Sequence, residues 1–234
     1  MTNTNYKEFL KSKIKTHTLS GFEVSDNEMN ANLFPFQSFI VKRALKAGKY
    51  AIFADCGLGK TLMQLNFAEL CAKQTLRPSL ILTPLAVKEQ TIQEAKKFGI
   101  DMTNIEVENY EQLDNIDCSK YGCVVLDESS ILKNVEGATK RKIMESFKDT
   151  PYKLACTATP SPNDPMELGN HSEFLDVMSY NEMLAMYFVH DGGETAKWRL
   201  KGHSIKMFYQ FVGSWAIMLN KPQDIGFEMI GYDL

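Results

Sequence analysis

Ala54-Asp55-Cys56-Gly57-Leu58-Gly59-Lys60-Thr61 follows a short apolar run, Tyr50 to Phe53, and precedes an amphipathic stretch, Leu62 to Cys71. The order is strand, glycine-bearing loop, helix, with Gly-Lys-Thr at the helix start. A loop in this setting aims successive backbone N–H groups and a helix N-terminus at one point, which suits a polyphosphate. Gly57, Leu58 and Gly59 then supply the backbone that wraps the anion. The Lys60 ammonium reaches the β- and γ-phosphates, and the Thr61 hydroxyl ligates Mg²⁺. The phosphate-loop pattern asks for glycine where this chain has Ala54, and a tight turn with an exposed lysine is the alternative. The flanking strand and helix favour nucleotide binding.

Outward from this loop, strands and helices alternate. Helical periodicity from Gln37 to Ala47, through Ile40, Val41, Ala44 and Leu45, stops at Gly48. Strand Tyr50–Ala54 leads to helix Lys60–Cys71, strand Leu80–Thr83 to helix Ala86–Phe98, and a strand at Ile105–Val107 to a helical turn at Tyr110–Leu113. Strand Cys123–Leu126 leads to helix Ala138–Phe147, and strand Lys153–Cys156 runs into a proline-rich loop, Thr159 to Pro165. The strands are apolar without alternation, so helices cover both faces. The pattern predicts an α/β fold with a doubly wound, mostly parallel sheet and its ligand at the carboxyl ends of the strands. Beyond Pro165, helices are expected over Met166–Asp176, Asn181–His190 and Ile205–Leu219, broken by a turn at Asp191-Gly192-Gly193. Residues 1–32 read as an arm, 33–165 as the nucleotide-binding domain, 166–219 as a helical extension and 220–234 as a linker.

A second motif sits where such a sheet needs it. Val124-Val125-Leu126 is an apolar strand ending in Asp127-Glu128, roughly seventy residues after Lys60. At a strand's carboxyl end beside the phosphate loop, Asp127 holds hydrated Mg²⁺ and Glu128 orients or deprotonates an attacking water. A kinase has no need of that second acid; hydrolysis does.

Asp127-Glu128-Ser129-Ser130, with Lys133-Asn134 after it, resembles the Asp-Glu-x-x box of the superfamily-two DEAD/DEAH-box helicases, nearest the Swi/Snf-like translocases and their phage and bacterial relatives. Further signatures fall in that family's order. Phe36-Gln37 resembles the glutamine motif, residues 55–61 motif I, Leu82-Thr83-Pro84-Leu85 motif Ia, and Asn109-Tyr110-Glu111 motif Ib. Thr157-Ala158-Thr159-Pro160, followed by Asn163 and Leu168, resembles motif III and its Swi/Snf-like extension. The resemblance covers about residues 33 to 170 and implies a RecA-like, ATP-binding lobe using ATP and Mg²⁺.

The resemblance also implies residue roles. Gln37 would make two hydrogen bonds to adenine, the alternative being a polar residue on an exposed helix turn. Thr157 and Thr159 would lie beneath the γ-phosphate and couple its loss to movement, or else simply cap a loop. Thr83, Pro84, Asn109 and Tyr110 would face the phosphates of a tracked strand, DNA in preference to RNA. For Lys88, Lys133 and Lys140, a solvated helix face is the competing reading. Lys197-Trp198-Arg199-Leu200-Lys201-Gly202-His203 reads as a helix-entry loop whose Trp198 docks onto the core, with stacking on a base as the alternative. No catalytic role is expected for His17, His171, His190 or His203.

The bulk composition agrees with such a lobe. A formal net charge of -3 over 234 residues gives no global attraction to nucleic acid, so any contact must be local. No apolar run approaches a membrane span, and Met1 to Lys15 lacks a secretory apolar region. Five cysteines, an odd number lying in or beside apolar segments, suit reduced and buried thiols of a cytoplasmic protein, and the resemblance implies a phage- or bacterially encoded one. The alternatives are another phosphate-loop hydrolase or kinase, or a nucleotide-switched adaptor.

Motors of this family carry an arginine finger on a second RecA-like lobe, and nothing after Leu219 resembles its motifs. Loss of such a finger costs about 10³–10⁵ in turnover. This chain alone is therefore expected to bind Mg·ATP and hydrolyse it slowly, with little translocation. A steady-state assay giving the turnover of a full motor, stimulated by DNA, would contradict this.

Overall fold

A computed structural model of the chain describes residues 17–133, 137–161, 164–190 and 198–228. Asn134, Asn163, the turn at residues 191–193 and Lys197 lie outside the described residues. Among the described residues the first α-helix is α1 (Pro35–Ala47), whose proline stands in the first turn, where its missing N–H costs nothing. Strand β1 (Lys49–Ala54) and α2 (Lys60–Thr75) flank the glycine loop, followed by β2 (Ser79–Thr83) and α3 (Lys88–Lys97). Then come β3 (Ile105–Asn109), β4 (Cys123–Asp127), α4 (Ala138–Ser146) and β5 (Tyr152–Thr157). The remainder is α5 (Leu168–Phe174), α6 (Tyr180–Tyr187), β6 (Phe188–His190), β7 (Trp198–Leu200), α7 (Ile205–Trp215) and β8 (Ala216–Leu219).

Six strands form one sheet in the order β3-β2-β4-β5-β1-β8, and every pairing in it is parallel. Parallel strands bury both faces, and here each face has its own core. On one side, Tyr50, Ile52, Ile81, Val125 and Leu154 pack under Ile40 and Leu45 of α1 and Leu62, Leu65 and Phe67 of α2. On the other, Ala51, Phe53, Leu82, Val124 and Ala155 pack under Ile143 of α4, Phe174 of α5, Met183 of α6 and Phe208 and Trp215 of α7. The doubly wound α/β sheet read from the sequence is the observed architecture.

Three segments differ from their sequence reading. The helix expected over Asn181–His190 ends at Tyr187, and Phe188–His190 pairs with Trp198–Leu200 in a small antiparallel ribbon. Trp198 is therefore in a strand, edge-on to His190 at 5.0 Å, rather than in a helix-entry loop. The helix expected over Ile205–Leu219 stops at Trp215. Ala216-Ile217-Met218-Leu219 turns extended and joins β1 as the sixth strand, Ala51 opposite Ala216 and Ala54 opposite Leu219. A four-residue apolar run carries no period of its own, so the ladder with β1 decided its state. Residues 17–32 do not stand off as an arm: Ser20, Gly21 and Phe22 donate backbone N–H groups to carbonyls at the end of α1. Past β8, Phe227 folds back to within 5.6 Å of Phe39 on α1.

Trp215, the residue before β8, is fully buried under the sheet and edge-on to both Phe53 (6.2 Å) and Phe211 (5.9 Å). Trp215→Ala should cost about 3–5 kcal/mol. Urea unfolding followed by circular dichroism reads this as a lowered midpoint; an unchanged midpoint would contradict the docking.

Candidate nucleotide site

The parallel register brings the sequence motifs to one rim. Ala54, Thr83, Asn109, Asp127 and Thr157 each end a strand, and all those ends lie on the same edge of the sheet. Because β5 lies between β1 and β4, Thr157 falls between the glycine loop and the carboxylate pair, Phe53 pairing with Thr157 and Cys156 with Asp127.

The loop turns through two glycines in left-handed conformation, Gly57 (φ 82°) and Gly59 (φ 71°). A side chain at Gly59 would also collide with the Gln37 amide, so this position demands glycine twice over. Leu58 is buried and anchors the loop to the core, whereas Cys56 is exposed, against the expectation of buried thiols. Lys60 folds back, donating to the carbonyls of Ala54 (2.8 Å) and Asp55 (3.0 Å). Thr61 follows it on the first turn of α2, half-buried.

Asp127 ends β4 with one carboxylate oxygen, Oδ1, accepting from Gln64 Nε2 at 2.7 Å. Burial raises its carboxyl above the ordinary carboxylate range, and the charge of Glu128 adds to that; the Gln64 bond and the Lys60 ammonium oppose it. Gln64 stands one turn after Lys60 on α2, so its bond to Asp127 sets the carboxylate strand against the start of the helix that carries the lysine. Glu128 is left-handed (φ 52°), and its Oε1 accepts from Ser130 Oγ (2.8 Å) and Thr157 Oγ1 (2.7 Å). Thr157 Oγ1 in turn accepts the Thr159 N–H at 3.0 Å, with Thr159 exposed. Glu128, Thr157 and Thr159 are thus joined by hydrogen bonds, while Lys60 and Thr61 open α2 at the same rim. A hydroxyl and a single carboxylate suit an ion that keeps waters and shares phosphate oxygens, which is the habit of Mg²⁺.

Other residues sit elsewhere than their assigned roles require. Gln37 is 3% exposed; its Oε1 accepts the Phe34 N–H (2.9 Å) and its Nε2 donates to the Leu58 carbonyl (3.0 Å). Both ends of the amide brace the loop from within, so neither is presented to an adenine. Tyr110 is buried, and its hydroxyl donates to the Asp127 carbonyl at 2.6 Å, tying motif Ib to the carboxylate strand rather than to a phosphate. Thr83 and Asn109 are opposite one another in register and are also buried, with Thr83 Oγ1 and Asn109 Oδ1 lacking a hydrogen-bond partner among the described residues. Of that set only Pro84 reaches the surface, beside Leu85 at 68% exposed. Lys88 pairs with Glu108 (2.8 Å), and Lys140 is buried against Glu173 (2.9 Å), not on a solvated face.

Two site neighbours escaped the sequence reading. Gln64 lies at a fully buried position in the run Leu62-Met63-Gln64-Leu65, and a polar residue inside an apolar helix stripe was the available signal. His171 is fully buried on α5, its Nε2 3.0 Å from Ser129 Oγ and its ring edge-on to Phe53 at 5.1 Å.

Strand order and site geometry define a RecA-like α/β lobe. No family model matches the chain. In fold it is similar to the Sulfolobus solfataricus SWI2/SNF2 ATPase core in complex with dsDNA, with a TM-score of 0.66 and 22% identity over 86% of this chain and 47% of that one. In sequence it is 25% identical over 164 residues to a Xenopus tropicalis SWI/SNF-related matrix-associated actin-dependent regulator of chromatin subfamily A-like protein 1, covering 61% of this chain and 17% of the relative. It is likewise 25% identical over 195 residues to putative protein p41 of Acyrthosiphon pisum secondary endosymbiont phage 1, covering 66% of this chain and 42% of that one. The chain therefore spans less than half the length of these relatives. The likeness to Swi/Snf-like helicase lobes, carried by the motifs, extends to both fold and sequence. Among the described residues, no helix is long and apolar enough to cross a membrane.

Burial pushes the His171 imidazole down to about 4 from its ordinary 6.5, against upward pulls from the backbone at Glu167 and Ser129. The folded chain thus binds fewer protons than the unfolded one between these values. The stability from this group is full above pH 6.5 and is lost as pH falls toward 4. Between about pH 7.5 and about pH 5.5 the loss should be on the order of 1 kcal/mol. Urea unfolding at both values should show this loss in the wild type and not in His171→Leu; equal losses would contradict the burial of a neutral imidazole.

Proposed function

We propose that this chain is the ATP-binding lobe of a DNA-dependent ATPase, a helicase or duplex-DNA translocase, whose hydrolysis drives movement once a second RecA-like lobe meets it. The observation that carries this reading is the convergence of Lys60, Asp127, Glu128 and Thr157 on one rim of the sheet. Lys60, released from the Ala54 and Asp55 carbonyls, would pair with the β- and γ-phosphates cradled by the backbone of residues 57–61. Thr61 and Asp127 would hold Mg²⁺, which when bound withdraws charge from the transferred phosphoryl group.

Glu128 is the residue for the proton. Its carboxylate points to the rim between two hydroxyl donors, leaving acceptor capacity for a water that attacks in line. Thr157 bridges that carboxylate to the loop at Thr159, so a change at the γ-phosphate position can pass to the segment that follows β5. Contacts to nucleic acid would come from the exposed turn after β2 at Pro84 and Leu85, through backbone groups that position without reading sequence. DNA is favoured over RNA because a structure of similar fold is described in complex with dsDNA. The likeness to a phage protein supports a phage or bacterial cytoplasm as the setting.

Glu128→Gln separates this reading from a kinase or a nucleotide switch. Calorimetry should find Mg²⁺-dependent affinity for an ATP analogue unchanged, while single-turnover hydrolysis in the presence of duplex DNA falls by about 10²–10⁴. Wild-type hydrolysis indifferent to both DNA and this substitution would overturn the proposal.

A further inference from the structure

The turn that follows the carboxylate pair, Ser129–Lys133, is held at both ends by one helix. His171 Nε2 meets Ser129 Oγ at 3.0 Å, and both side chains are fully buried. One position earlier on α5, Asn170 Nδ2 donates to the Lys133 carbonyl at 3.2 Å. Asn170 is itself fixed, its Oδ1 accepting from the buried Lys140 ammonium at 2.9 Å. Gly169 completes the arrangement, since a side chain there would collide with Met183 and Tyr180 at the α6 interface.

What this grip protects is a strained residue. Glu128 occupies the left-handed region (φ 52°), which is unfavourable for a non-glycine residue and persists only where the surroundings impose it. The carboxylate of Glu128 meets Thr157 on one side, while the next residue in the chain is tied to α5. That helix is the next α-helix in the chain after β5, the strand that ends at Thr157. A leucine would fill the His171 position without the cost of burying an imidazole. The imidazole's distinguishing capacity is its hydrogen bond to the Ser129 hydroxyl, which has no other partner among the described residues.

We propose that Asn170 and His171 are positioning residues for hydrolysis, clamping the Ser129–Lys133 turn so that Glu128 keeps the backbone conformation that aims its carboxylate at the attacking water. The inference rests on the reading of Glu128 as the water-orienting base. It assigns the clamp to this lobe's own α5, independently of any second lobe.

The test uses the full chain with Ser129→Ala, His171→Leu, the double variant, and His171→Gln, whose amide keeps a donor and an acceptor near Nε2. Hydrogen exchange of the amides from Ser129 to Lys133 reads the clamp, and single-turnover hydrolysis of Mg·ATP with duplex DNA reads its effect. In Ser129→Ala and His171→Leu, exchange should rise and hydrolysis fall, each about tenfold, at unchanged affinity for an ATP analogue. The double variant should be no worse than the poorer single, because both remove one bond, and His171→Gln should recover part of the rate. Unchanged exchange overturns the clamp. Faster exchange with an unchanged hydrolysis rate reduces it to a structural brace and overturns the positioning role. Failure of the wild type to take up Mg·ATP overturns the motor reading itself, whatever the exchange shows.

Discussion

The register of three neighbouring parallel strands governs everything at the rim. With β5 between β1 and β4, the end of β5 is forced to lie between a glycine loop and a pair of acids, and a threonine there can touch what each of them holds. A slip of one residue in either ladder would turn the chemistry-bearing side chains toward a helix-packed core. The two apolar layers prevent that slip, since Phe53 and Ala155 belong to one core and Ile52, Leu154 and Cys156 to the other. Packing on both faces is thus the source of precision at an edge that is itself polar.

Within that frame the polar groups have satisfied one another. Lys60 caps loop carbonyls, Gln64 occupies an oxygen of Asp127, and Gln37 holds Leu58 from below. These bonds keep charged and amide groups solvated by the protein itself, and of the three only those of the Lys60 ammonium hold a cation that an anion could draw away. The pairing is incomplete in places. Among the described residues, Gln64 Oε1, Thr83 Oγ1 and Asn109 Oδ1 are buried without partners, and all three belong to segments that end at or border the same rim. Buried orphans of this kind are uncommon and tend to gather where a structure has unfinished work.

The strand–loop–helix core was legible in the sequence because its signals are local. Glycines at residues 57 and 59, acids at the end of an apolar strand, and helices that stop at Gly48 and Gly99 each announce themselves within a few residues. What could not be read depended on distant partners. Ala216 to Leu219 becomes a strand only because β1 offers a free edge, and Tyr110 turns inward only because the Asp127 carbonyl waits for its hydroxyl. Gln37 shows the same limit: the motif locates it beside the nucleotide loop, while the direction its amide faces is set by Phe34 and Leu58. Gln64 showed only as a polar break in an apolar helix stripe, and His171 sits among Asn170, Ser172 and Glu173, where nothing local marks it as buried or names Ser129 as its partner.

The sixth strand has a mechanical corollary. Leu219, the last residue of β8, accepts the backbone N–H of Asp55 at 3.1 Å, so the outermost ladder is continued into the first peptide of the glycine loop. Once the Phe227 contact with Phe39 gave way, tension on the backbone beyond Leu219 would reach that bond, as a bell-pull loads its wire. Strain arising at the sheet's border would thereby be delivered to the cradle directly, with no helix or side chain as intermediary.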